Sequence, residues 1–106
     1  MEIEKSRLEQ IKEFVELDPS DTFSRYALGM EYMGISEFSE AVVQFAEVIK
    51  LDSSYSAAYF QAALASEQLK QMEDAKNYLV RGIAEAEKKR DWHARDEMKA
   101  ALENLG

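Results

Sequence analysis

Cysteine is absent from the 106 residues, proline occurs once, histidine once and glycine four times. Without a thiol the chain holds no disulfide framework and no thiolate metal site. A single imidazole, His93, excludes a two-histidine zinc site and a paired Glu-x-x-His di-metal bundle. One proline and four glycines are too few for sheets joined by many tight turns, so an all-α class is expected. No apolar run approaches the ~20 residues of a membrane span. The opening Met1-Glu2-Ile3-Glu4-Lys5 is charged where a signal peptide would turn apolar. Basic residues are outnumbered 13 to 21, and the net charge of −8 repels phosphate backbones and anionic lipid surfaces. No nucleic-acid or membrane partner is therefore expected. A cytoplasmic location is expected, whether the chain is a whole protein or a domain of a longer one.

What is present is helical periodicity. Hydrophobic residues make up 46% of the chain, enough for one domain with a real core. Phe23, Tyr26, Ala27, Met30 and Met33 recur at spacings of three and four, as do Phe38, Ala41, Val42, Phe45, Val48 and Ile49. Gly34-Ile35-Ser36 between them reads as a helix-ending glycine followed by a helix-starting serine. So short a joint folds the two helices back antiparallel. A first helix is expected over 3–17, with Leu8, Ile11 and Val15 on one face and Phe14 beside them. Pro19 ends it, and Ser20 is placed at the next N-cap. The remaining helices are expected over 21–34, 37–50, 55–69, 72–89 and, capped by Asp91, to the chain's end. The last has Ala94, Met98, Ala101 and Leu105 on its apolar face.

Sliding the sequence against itself by 34 positions exposes an internal repeat. Leu17-Asp18 falls on Leu51-Asp52, Ser20 on Ser54, Tyr26 on Phe60, Gly29 on Ala63, Met30 on Leu64, Ala41 on Ala75, and Phe45 on Leu79. Two series, Ile11/Phe45/Leu79 and Val15/Ile49/Ile83, run through three copies. Gly29, Ala41, Ala63 and Ala75 are small where paired helices are expected to cross most closely.

Leu28-Gly29-x-x-Tyr32 followed by Ala41-x-x-x-Phe45 within a 34-residue helix–turn–helix unit resembles the tetratricopeptide repeat family. The second copy departs from the pattern, with Ala62-Ala63, Ser66 and Leu79 at the motif positions. The resemblance implies a right-handed α-solenoid of antiparallel helix pairs, about six helices in all. It divides the single domain into a leading half-repeat (1–21), two repeats (22–55 and 56–89) and a capping helix (90–106). Trp92 is expected to pack against the end of the fifth helix and fix that cap.

A search for chemistry finds no catalytic, cofactor or metal site. Gly29-x-x-x-x-Gly34 has the glycine spacing of a phosphate loop, but Ile35-Ser36 follows and the segment lies in a helical pattern. His93 and Glu97 are four apart and read as an exposed pair on one helix face. No serine has a histidine base near it in sequence, so the chain is not expected to be an enzyme. Binding is the better expectation. In the resembled family, ligands lie in a groove lined by the first helix of each repeat. Mapped onto this chain, that groove contains Tyr26, Met30 and Met33 from one repeat and Phe60, Leu64 and Gln68 from the next, with Phe23 either beside them or in the core. Some family members grip a peptide's C-terminal carboxylate with lysine, asparagine and arginine on these helices. Here Tyr26, Met30 and Leu64 stand at such positions, and the implied guest is a protein or peptide with an apolar segment. The alternative is self-assembly, with the groove paired to its own copy in a homodimer.

Overall fold

The computed structural model describes residues 5–105. Those residues form six α-helices and no strand: α1 (Arg7–Leu17), α2 (Thr22–Gly34), α3 (Phe38–Leu51), α4 (Ser56–Gln68), α5 (Met72–Lys88) and α6 (Trp92–Asn104). Positions 3 and 4 of the expected first helix lie outside the described residues. Each helix packs on the next in sequence. In addition α2 touches α4 and α4 touches α6, whereas the odd-numbered helices do not touch one another. The even helices therefore form the tighter, inner layer of a curved stack and the odd helices the splayed outer layer. The described residues extend 52 × 28 × 20 Å, longer than a ball of this size.

The core runs through the stack as one cluster. Leu28 and Tyr32 from α2 meet Ala41, Phe45 and Val48 from α3, and Ala58, Tyr59, Ala62 and Ala63 from α4 meet Ala75 and Leu79 from α5. Met98 of α6 closes it at one end and Val15 of α1 at the other. The small residues stand where the periodicity places them. A Cβ built on Gly29 would lie 2.5 Å from the Phe45 ring, so the ring occupies the space that glycine leaves. One repeat later, Ala63 faces the side where Leu79 replaces the phenylalanine, and both are buried. A ring with glycine is thus exchanged for a branched aliphatic with alanine, a swap that roughly conserves volume.

The turns carry the repeat as well. Asp18 accepts the Ser20 hydroxyl at 3.0 Å, and Asp52, 34 residues on, accepts the Ser54 hydroxyl at 2.7 Å and its amide at 3.0 Å. The paired bonds hold the Asp52 carboxyl below the usual carboxylate range. This use of Ser20 corrects its expected role as N-cap. Asp21 caps α2 instead, accepting the Phe23 amide at 3.2 Å. Asp91 caps α6 as expected, accepting the Ala94 amide at 3.1 Å.

Gly34 and Ser36 also differ from expectation. Gly34 remains helical, and the left-handed residue is Ser36, with φ 60°. Glu37 N–H donates to Tyr32 C=O at 2.9 Å and Ser36 N–H to Met33 C=O at 3.1 Å, the paired bonds of a Schellman ending. The same pair of bonds recurs around Lys70 (φ 64°) and Arg90 (φ 59°). No glycine occupies any of these three left-handed sites. Ser36 therefore terminates α2 rather than starting α3, whose N-cap, Glu37, makes no side-chain bond.

The ring-in-glycine contact sets a double-mutant test. Gly29→Ala should destabilise the chain by about 1–3 kcal/mol despite its better helix propensity. Combined with Phe45→Leu, which recreates the Ala63–Leu79 arrangement, it should cost less than the sum of the single changes. Denaturant titration of the four proteins measures the coupling, and simple additivity would contradict the packing.

Candidate functional site

The six residues expected to line a groove stand on α2 (Tyr26, Met30, Met33) and α4 (Phe60, Leu64, Gln68). Tyr26 is half-buried, its ring 5.2 Å from Tyr55 and 5.6 Å from Phe45. Burial raises its phenol above the usual value and the adjacent Tyr55 raises it further, while a hydrogen bond with Gln61 opposes them. Tyr26 thus remains a neutral hydroxyl anchored between three helices. Met33 and Phe60 are half-buried against the core, Leu64 is half-buried, and Met30 and Gln68 are exposed. The six do not line one cleft. Phe60 lines a hollow between α4 and α6, and none of the other five borders it.

That hollow has a volume of about 210 Å³ and is lined by Ser56, Ala57, Phe60, Asp91, His93, Ala94, Glu97 and Met98. Its floor exists because Gly82 on α5 admits the Met98 side chain. A Cβ at position 82 would lie 2.5 Å from the Met98 sulfur and 2.7 Å from Tyr59 Cβ. Its rim is polar, and there His93 Nε2 lies 3.1 Å from Glu97 Oε1, with the imidazole well exposed. The i, i+4 spacing made this pair legible, but its place on the rim of an apolar hollow was not. Among the described residues no three His, Asp or Glu side chains converge to hold a metal ion, and no helix is long and apolar enough to cross a membrane.

Trp92 departs from expectation. It is 48% exposed and lies outside the core cluster, with the Arg95 guanidinium 4.7 Å from its ring centroid. The guanidinium one helical turn away stacks on the indole as a cation–π contact. Phe23 is not core either. It is 73% exposed and lines a second cleft, between α1 and α2, together with Arg7, Gln10, Ile11, Phe14, Ser24 and Ala27.

Comparison with known proteins bears on the fold. No family model and no curated protein matches the sequence. Solved structures do match. A tetratricopeptide repeat domain protein from Salinibacter ruber shares 28% identity with a TM-score of 0.77, over 83% of this chain and 89% of its own. The type III secretion translocator chaperone SycD of Yersinia enterocolitica superposes with a TM-score of 0.87 at 16% identity, over 92% of this chain and 68% of its own. The TPR2B domain of yeast Sti1, solved as a complex with pHsp70, gives 0.87 at 16% identity, over 92% and 78%.

The Gly82–Met98 contact can be tested directly. Gly82→Ala should lower stability by about 1–3 kcal/mol and speed amide exchange along α6. Unchanged α6 exchange would mean that the hollow's floor does not depend on this close approach.

Proposed function

We propose, on the premise that this chain has a tetratricopeptide-repeat fold, that it is a non-catalytic protein-interaction module. Its guest is an apolar peptide segment or helix lying across the inner faces of α2, α4 and α6. The observation that carries this reading is the hollow beside Phe60, an apolar floor of Ala57, Phe60, Ala94 and Met98 under a polar rim. Such a site fits one inserted apolar side chain with flanking polar backbone. From there Leu64, Met30, Met33 and Tyr26 extend an adaptable apolar surface of thioethers and rings, and Gln68 adds an amide at its edge.

Asp91 and Glu97 on the rim, within a chain of net charge −8, favour a guest with basic flanks and speed its approach more than they tighten it. The neighbours support a protein partner in general terms. One was solved as a complex with pHsp70, and another is a chaperone of translocators. A second reading, in which the groove is closed by a second copy, draws support from the neighbour solved as an alternative dimer.

Peptides selected from a displayed library on the wild-type chain provide the probe. Met30→Glu should weaken the selected peptide's binding by about tenfold or more, because it sets a charge into the apolar surface. Val80→Glu, at an exposed position of α5, should leave binding unchanged. Equal effects from the two substitutions, or none from Met30→Glu, would overturn the groove assignment.

A further inference from the structure

The 34-residue repeat gives Gln10 and Phe14, exposed on α1, and Ile11, half-buried there, counterparts deeper in the stack that are buried. Ile11 corresponds to Phe45 and Phe14 to Val48, both of which are fully buried on α3. Gln10 corresponds to Gln44, which is buried and accepts a hydrogen bond from Arg25 at 3.1 Å. What covers α3 is α2, lying antiparallel across it. No helix among the described residues covers α1 in the same way. Phe14 is 60% exposed, and Phe23 faces it across an open cleft of about 310 Å³; Leu17 beyond them is 81% exposed, as its counterpart Leu51 is partly. The other end of the stack is finished differently. The exposed side of α6 carries Asp96, Lys99 and Glu103, a solvated surface.

We propose that the α1–α2 face is covered by the same face of a second copy, the two α1 helices running antiparallel about a twofold axis. Charge favours this occupant. The whole chain carries −8 and its copies repel, but α1 and its flanks hold Lys5, Arg7 and Lys12 against Glu9, Glu13, Glu16 and Asp18, a balance of only −1. Two such faces meet with far less repulsion than the chains taken whole. The stripe, exposed except at the half-buried Ile11, is also self-complementary in its order. Arg7 stands at its start, Asp18 just past its end, and Gln10, Ile11, Phe14 and Leu17 lie between.

An antiparallel pairing centred between Ile11 and Phe14 sets each Phe14 on the partner's Ile11 and each Arg7 beside the partner's Asp18. Both contacts occur twice, as a twofold interface requires. A parallel pairing would instead align Arg7 with Arg7 and Asp18 with Asp18, so charge selects the antiparallel arrangement. Arg7 is already held toward this face, its Nε donating to Glu31 at 2.9 Å. The contact lies at the end of the stack, so the inner groove of each copy stays open. This dimer is therefore distinct from one closed through the groove.

Sedimentation equilibrium of the full chain from about 1 μM to 1 mM provides the test. The wild-type chain should be dimeric at the upper end, and Phe14→Glu should be monomeric with an unchanged helical spectrum, since Phe14 is mostly solvent-exposed within one copy. Met30→Glu should still dimerise. Asp18→Arg should weaken the dimer by about tenfold or more, and Arg7→Asp added to it should restore association by reversing both pairs. A wild-type monomer throughout, a dimer that survives Phe14→Glu, a dimer lost in Met30→Glu, or failure of the charge reversal to restore association would each overturn the proposal.

Discussion

The stack rests on one kind of contact, a large side chain on one helix seated where its neighbour has almost none. Phe45 fills the space over Gly29, Leu79 is buried in the repeat that carries Ala63, and Met98 enters the space over Gly82. Each contact sets how closely two backbones approach, and so sets the angle at which the next pair is laid down. A methyl group added at Gly29 or Gly82 meets a ring, a sulfur or a neighbouring Cβ at well under contact distance. The gain in helix propensity from alanine is about 1 kcal/mol and does not offset the overpacking.

Because each helix packs mainly on its sequence neighbours, stability is close to a sum over layers, and the ends differ from the middle. The interior layers bury their large residues almost completely. At the α6 end, Met98 with Ala94, Ala101, Leu102 and Leu105 packs on the core, and the helix's other side is charged. At the α1 end, residues with buried counterparts deeper in the stack face solvent. Among the described residues the two ends of the stack thus differ, one presenting a charged helix face and the other exposed apolar side chains. The inner groove is a separate surface, formed because the even-numbered helices approach one another while the odd-numbered ones do not.

Much of this was legible in the residues. The spacing of three and four, the offset of 34 and the small residues at Gly29, Ala41, Ala63 and Ala75 are direct records of which side chains touch, so class, helix number and core follow from them. Turn chemistry was less legible. Ser36, Lys70 and Arg90 take the left-handed position because backbone bonds one turn back require it there, and those bonds leave no trace in residue type. Ser20 is committed to Asp18, which moves the cap to Asp21. Phe23 and Trp92 show a further limit. Periodicity tells which side of a helix a residue occupies, but not whether a neighbouring helix is there to cover it. For the same reason the hollow beside Phe60 could not be read in advance, since it depends on how far α6 sits from α4. The cleft along Phe14 depends likewise on what does not lie over α1.

The central claim, that stability is built layer by layer from these close crossings, is tested most directly by residue-resolved amide hydrogen exchange of the dilute chain. The account predicts the slowest exchange in α3 and α4, where both neighbours are in place, with protection falling outward through α2 and α5 to α1 and α6. Amides of α1 exchanging as slowly as those of α4, or one uniform rate in all six helices, would contradict it.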